Sequence, residues 1–279
     1  MIKIVTDTTA ELSRDYCREH DIEVVPQIIR FGEETFQEGV EMDEPEFLRR
    51  LKSSTVLPGT AAPAPGLFDK AYRNAAERGD VILSIHPSLD LSGTVASANA
   101  ARSLYPHADI RVIDTRTIAG CLGEMIKLAV EWRQAGLSAD EIEARLKTFI
   151  PRSRIYFLVS TLEYLQRNGR IGGASRLIGS MLQIKPILQL SGGRVEPKDK
   201  VRTHQKALEH LMELVAAECP HSPEAHVSVM HADVEADAAK LRDELRAALG
   251  LTDIPIYSVG PAITTHGGPG ILAVGFFTA

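Results

Sequence analysis

The chain has 279 residues, 44% of them hydrophobic and 24% charged, with a formal net charge of −6 from 37 acidic against 31 basic side chains. That composition belongs to a globular protein long enough for two ordinary domains and excludes disordered and fibrous chains. Interspersed charge without a basic tract speaks against nucleic acid as a partner. The three cysteines, Cys17, Cys121 and Cys219, form no C-x-x-C pair, which removes a disulfide framework and a zinc ribbon. No apolar run approaches bilayer-spanning length, and Met1 leads directly into a strand-like run instead of a signal peptide. A reducing, cytoplasmic setting without an integral membrane segment is therefore expected.

Residues 2–5 are a β-type run that ends in Thr6-Asp7-Thr8-Thr9, and Thr8 with Glu11 reads as a capping box opening a helix from Ala10 to about His20. Residues 22–31 are β-rich, and Gly32 permits a hairpin back into Thr35-Phe36. Asp43 and Glu46 read as a second capping box before a helix that runs to about Leu51, and the proline-interrupted stretch 57–65 reads as a loop with one hydroxyl, Thr60. A helix over 66–78 leads to a continuous apolar strand over 81–85. Leu91-Ser92-Gly93-Thr94 then precedes a small-residue helix, at a strand's carboxyl end, where open α/β sheets bind ligands. Residues 110–113 repeat the pattern, ending in Asp114-Thr115-Arg116 before a long helix over 118–135 and a further helix capped by Ser138 and Glu141. Alternating strand and helix predicts a Rossmann-like, mostly parallel sheet covered by helices over residues 1–152.

Beyond Pro151 the rhythm changes. A strand over 155–159, a short helix over 161–167 and an amphipathic helix from Ala174 to about Leu182 lead to two runs flanking Ser191-Gly192-Gly193, a hairpin signal. Helices over 203–217 and 234–249 and strands over 225–231, 255–259 and 271–277 complete an expected α+β domain, residues 153–279, with a mainly antiparallel sheet.

The stretch Gly260-Pro261-Ala262-Ile263-Thr264-Thr265-His266-Gly267-Gly268-Pro269-Gly270 is a poor recipe for helix or strand and a good one for holding a small anion with neutral donors. A glycine-rich turn with a satisfied histidine is the plain alternative. No P-loop, H-E-x-x-H or G-x-S-x-G motif is present, and Gly268-Pro269-Gly270-Ile271-Leu272-Ala273 matches the dinucleotide fingerprint without a βαβ unit to follow it. Neither a metal nor a cofactor is expected. Ser92 and His266, with an aspartate such as Asp7 or Asp114, also compose a conceivable hydrolase triad.

Asp7-Thr8-Thr9, Thr60, Leu91-Ser92-Gly93-Thr94, Asp114-Thr115-Arg116, Gly169-Arg170-Ile171, Ile184-Lys185-Pro186-Ile187-Leu188, Lys200-Val201-Arg202-Thr203 and Thr265-His266-Gly267-Gly268-Pro269-Gly270 occur in an order and spacing that resemble the DegV family over essentially the whole chain. The resemblance implies a two-domain, non-enzymatic lipid-binding protein of fatty acid metabolism or lipid transport. Such a protein binds one long-chain fatty acid, such as palmitate or oleate, and presents its carboxylate to a separate ATP-binding fatty acid kinase subunit that forms an acyl phosphate. It further implies that Thr60, Ser92 and His266 hold the carboxylate, with Gly93, Thr94, Thr265 and Gly267 nearby, and that Arg170 and Arg202 face the kinase subunit. The stand-alone acyl-ester hydrolase using Ser92 and His266 is the alternative. Ala61-Ala62 departs from the family's usual Ser-Gln, so fewer head-group contacts are expected. Candidate tunnel walls are the helix faces bearing Ile118, Leu122 and Met125 and bearing Leu177, Ile178, Met181 and Leu182, with plain core packing as the ordinary reading of such apolar faces.

Overall fold

A computed structural model of the chain describes residues 1–180 and 183–279. In chain order the elements of the first half are β1 (Ile2–Asp7), α1 (Arg14–Glu19), β2 (Ile22–Val25), β3 (Ile28–Phe31), β4 (Glu34–Gln37), α2 (Glu44–Ser53), β5 (Gly59–Ala61), α3 (Pro65–Glu77), β6 (Val81–His86), α4 (Thr94–Arg102), β7 (Ile110–Asp114), α5 (Ala119–Gln134) and α6 (Ala139–Phe149). They are followed by β8 (Ser153–Leu158), α7 (Glu163–Arg167), β9 (Lys185–Ser191), β10 (Arg194–Val201), α8 (His204–Glu218), β11 (Ser228–His231), α9 (Glu235–Leu249), β12 (Ile256–Ser258), α10 (Pro261–Gly267) and β13 (Leu272–Phe277).

The apolar runs of β1, β2, β6 and β7 form a parallel sheet in the order β2-β1-β6-β7, with Ile4 opposite Ile22 and Ile82 opposite Ile110. A second, six-stranded sheet runs β10-β9-β8-β13-β11-β12, in which β11 and β12 pair in parallel and the other neighbours are antiparallel. The fold is thus α/β, with a parallel first sheet and a mainly antiparallel second one, and the expected hairpin at Gly192-Gly193 joins β9 to β10. A small antiparallel sheet, β4-β3-β5, sits apart from both.

Helix α5 holds the two large sheets together. It is apolar on nearly every face, with Ala119, Leu122, Met125, Ile126 and Ala129 all buried, which is the pattern of a helix enclosed by protein. It touches β1 on one side and β8, β11 and β13 on the other. The largest core cluster accordingly contains Ile4, Leu83 and Ile113 from the first sheet together with Phe157, Leu188 and Ala273 from the second. Among the described residues, no helix is long and apolar enough to cross a membrane.

Several local expectations are corrected. Thr8 and Glu11 do not cap a helix: residues Thr8–Ala10 make a single 3-10 turn, Glu11 is left-handed at φ 54°, and α1 starts later, capped by Ser13 accepting from the Tyr16 N–H. The loop over 57–65 contains β5, because its prolines fall outside Gly59–Ala61 and leave those N–H groups able to pair with β3. The glycine-rich stretch around His266 forms α10, with Pro261 in its first turn, where a missing N–H removes no helical bond, and Gly268 at its end. Residues Gly172–Ser180 coil as 3-10 instead of an amphipathic α-helix. Ser138 and Glu141 form a full capping box, whereas of the capping box expected at Asp43 and Glu46 only the Asp43 half forms, accepting the Glu46 N–H, because the Glu46 carboxylate is taken by Arg49 and Arg50.

Candidate ligand-binding site

Three separate segments bring the site together. β1 and β6 are parallel neighbours, so the loops that follow Asp7 and His86 open at the same sheet edge. The β6 loop delivers Ser92 just ahead of α4, with Gly93 at its N-cap. β5 presents Thr60, opposite Ile29 of β3, and α10 presents His266. The start of α10 is fastened by carboxylates from the first half of the chain: Ala262 N–H donates to Glu38 Oε1 at 2.8 Å and Gly260 N–H to Glu11 Oε1 at 2.9 Å. Near its far end, Asn168 Nδ2 donates to the Thr265 carbonyl at 2.9 Å.

His266 Nε2 and Thr60 Oγ1 share a 2.8 Å hydrogen bond, and among the described residues the buried His266 Nδ1 has no partner. Burial, with the Arg170 guanidinium adding to it, lowers the imidazole pKa to about 4, so the ring is neutral at pH 7. A neutral ring carries one N–H. If that proton is on Nε2, Thr60 accepts it and keeps its own hydroxyl proton for the cavity; if it is on Nδ1, Thr60 donates to Nε2 and the Nδ1–H is left. Either tautomer leaves one donor free. Ser92 Oγ lies 2.7 Å from Thr94 Oγ1 and accepts from the Thr94 N–H at 3.3 Å.

Ser92, Thr60, His266 and Gly267 line one cavity whose remaining wall is mostly apolar, including Ile118, Ile155, Phe157, Leu190, Met230 and Ile271. Its lining residues come from both sides of residue 152. Of the proposed walls, Ile118 lines it, whereas Leu122 and Met125 are buried in the core cluster behind. Leu177 packs against that cluster, Ile178 is 39% exposed, and Met181 and Leu182 lie outside the described residues.

Arg170 is not on an open face. It lines the cavity, with Nε donating to the Leu91 carbonyl at 3.0 Å and Nη1 to that of Asn168 at 2.7 Å, so the site has a cation that the neutral histidine loop did not announce. Arg202 is exposed at the bend between β10 and α8. Thr265 and Thr94 stand behind the surface: the Thr265 hydroxyl donates to the Pro261 carbonyl at 2.8 Å, and Thr94 is fully buried. Gly93 packs its backbone against Ala62, whose Cβ would lie 3.3 Å from a Cβ added there.

Two polar cavity residues were not named as site candidates from sequence, Thr9 and Gln27, and neither were the apolar wall residues Ile155, Phe157, Leu190, Met230 and Ile271. Gln27 Nε2 donates to both Asp7 Oδ1 at 3.0 Å and Thr94 Oγ1 at 2.9 Å. Its only sequence signal was a lone amide after Pro26 between two strand-like runs. Asp7 is enclosed by donors, taking Thr9 N–H and Oγ1 at 3.1 and 2.6 Å and contacting His86 Nδ1 at 2.8 Å. Asp114 accepts from the N–H groups of Leu89 and Arg116, at 3.2 and 3.0 Å. Both aspartates therefore structure loops, and neither touches His266. Among the described residues no hydrogen bond joins Ser92 to His266, so the pieces of a hydrolase triad are not assembled.

The family model described as "Uncharacterised protein, DegV family" matches residues 1–279. A DegV domain-containing protein of Streptomyces coelicolor is 39% identical over 275 residues, covering 98% of this chain and 97% of its own. Two solved structures superpose along the full chain. A fatty-acid-binding DegV family protein from Thermus thermophilus has a TM-score of 0.90 at 31% identity, covering 100% of this chain and 99% of its own. DegV of Bacillus subtilis, described as a fatty acid binding protein, has a TM-score of 0.89 at 32% identity, with the same coverage.

Proposed function

The chain belongs to the DegV family, and from that premise we propose that it binds a long-chain fatty acid, tail in the apolar cavity and carboxylate among Ser92, Thr60 and His266, with Arg170 beside them. The observation that carries this reading is a single cavity with a mostly apolar wall that also presents hydroxyl, imidazole and guanidinium groups, Thr60 and His266 hydrogen-bonded to each other and Arg170 to the carbonyl of Leu91 beside Ser92. A tail of about fourteen methylenes gains on the order of 11 kcal/mol on leaving water, at roughly 0.8 kcal/mol each. Neutral donors leave the carboxylate less masked than a bidentate Arg would, and Arg170 already donates from Nε and Nη1 to backbone carbonyls.

On this reading the protein is a two-domain carrier, dividing near residue 152, with the ligand between the domains and no catalysis of its own. Phosphorylation of the bound carboxylate to an acyl phosphate would be the work of a separate ATP-binding kinase subunit, and exposed Arg202 would belong to the face offered to it. The lack of a P-loop motif supports that division of labour.

The test is mass spectrometry of an organic extract from denatured, freshly purified protein, quantified against protein concentration. Near-stoichiometric fatty acid is expected. An extract that stays empty after incubation with palmitate and oleate would overturn the reading. Addition of a fatty acid kinase subunit and ATP should then yield acyl phosphate only when the carrier is present.

A further inference from the structure

Behind Ser92 runs a chain of buried polar groups whose donor and acceptor roles are fixed by chemistry. It begins at Asp7, fully buried, whose Oδ1 accepts the Thr9 N–H at 3.1 Å; a backbone N–H can only donate, so Oδ1 is an acceptor there. The Gln27 side-chain atom 3.0 Å from the same oxygen must therefore be the NH2 group. That group's second proton points at Thr94 Oγ1, 2.9 Å away, and makes Thr94 an acceptor on that side. Gln27 is 3% exposed and Thr94 is fully buried, so water does not compete for these bonds. The Thr94 hydroxyl has one proton, and the acceptor within reach is Ser92 Oγ at 2.7 Å. Ser92 Oγ also takes the Thr94 N–H at 3.3 Å, which occupies both of its lone pairs.

Ser92 is then left with one function, donation of its own proton into the cavity it lines. We propose that Gln27, anchored by Asp7, is a positioning residue that sets the hydrogen-bond direction through Thr94 and makes Ser92 an obligate donor, selecting an anionic acyl head group over a neutral one. The selection follows from the ligand's chemistry. A carboxylate accepts from such a donor with charge assistance, whereas a fatty alcohol of the same chain length offers an uncharged oxygen and loses that advantage. The same polarity disfavours Ser92 as a nucleophile, since among the described residues no base is hydrogen-bonded to Ser92 Oγ to take its proton. This inference rests on the head-group reading above, and the experiment separates the two.

Affinities for palmitate and for hexadecanol are measured for the parent protein and for Gln27→Met, Ser92→Ala and the double variant. Gln27→Met keeps the side chain's length and removes the donor, so Ser92 and Thr94 are free to reverse. Palmitate binding should weaken on the order of tenfold or more, with hexadecanol binding little changed. In the Ser92→Ala background, Gln27→Met should have no further effect on palmitate. Equal loss for both ligands, additive losses in the double variant, or no loss at all would overturn the positioning role. Unchanged palmitate affinity in Ser92→Ala would overturn the head-group reading itself. Thr94→Val, which cuts the same chain one link nearer the cavity, gives the equivalent comparison if Gln27→Met does not fold, and Thr94→Ser should restore the parent behaviour.

Discussion

His266 Nε2 lies 2.8 Å from Thr60 Oγ1, across 206 positions of sequence. The contact joins a three-residue edge strand to a short helix, so the donor cluster depends on tertiary structure and on no local motif alone. Removing the imidazole with His266→Ala should weaken oleate binding by roughly ten- to a hundredfold, since a hydrogen bond to a charged group is worth about 1.5–3 kcal/mol. Titration calorimetry checks this, and parent-like affinity would take His266 out of the site. Thr60→Val leaves Nε2 without its partner and should weaken binding in the same direction, while Thr60→Ser should not.

The depressed pKa of His266 predicts an acid-side loss of stability. Below its ordinary value of 6.5 the unfolded chain's imidazole takes up a proton that the folded protein refuses until about pH 4. The unfolded state therefore binds more protons in that window, and stability falls as the pH drops through it, by on the order of 3 kcal/mol. Urea midpoints for the parent and His266→Gln between pH 6.5 and 4 should diverge, with the shallower decline in the variant. Parallel curves would mean that the ring titrates normally.

Glu38 acts with the opposite sign. Burial pushes its carboxyl up to about 7, against the lowering effect of the Ala262 N–H and the Thr8 hydroxyl. From pH 4.5 to about 7 the unfolded chain gives up a proton that the folded chain keeps, so this group's contribution to stability is lost as the pH rises. Glu38→Gln keeps an acceptor for Ala262 and should remove that decline, again read as the difference from the parent's urea midpoints. A difference that does not change with pH would refute the assignment.

Gly268 is a sharper backbone constraint. At φ 79°, ψ 165° it occupies a region restricted to glycine, and a Cβ there would meet the Tyr164 ring at 2.5 Å. Gly268→Ala should destabilise the protein by about 1–3 kcal/mol or more and, by displacing the end of α10, weaken ligand binding as well. Ser138→Ala is the matched control: loss of the α6 capping box should lower stability by about 1 kcal/mol and leave affinity alone. Chemical denaturation with a parallel binding assay separates the two cases.

Much of this architecture is legible from residue pattern. The apolar runs over β1, β6 and β7 identify the parallel sheet, Gly192-Gly193 identifies the β9–β10 hairpin, and Asp43 and Ser138 mark helix starts. The misreadings have a common cause, which is that a local signal was outweighed by distant partners. Glu11 resembles the third residue of a capping box, yet its carboxylate reaches Gly260. Gly59–Ala61 looks too proline-flanked for a strand until β3 supplies its partner. The α10 sequence has weak helical character, and its N–H groups are met by Glu38 and Glu11 from more than half the chain away. Ser92 and His266 stood out because serine and histidine among glycines are chemically conspicuous. Gln27 did not, and Arg170 was expected on a partner-facing surface instead of in the cavity wall, since an isolated amide or guanidinium is placed only once its neighbours are known.

The arrangement of the second sheet also bears on the order of events during synthesis. β13 sits between β8 and β11, although it is made after both, and α10 with His266 emerges only shortly before it. Until the ribosome has released this region, β8 and β11 lack their shared neighbour, Thr60 has no imidazole to meet, and α5 lacks part of its cover. Because such long-range pairings form slowly, the cavity wall that β8, β11 and β13 share is completed together and not strand by strand. On the proposed reading, the ability to hold a ligand therefore waits on the insertion of the central strand.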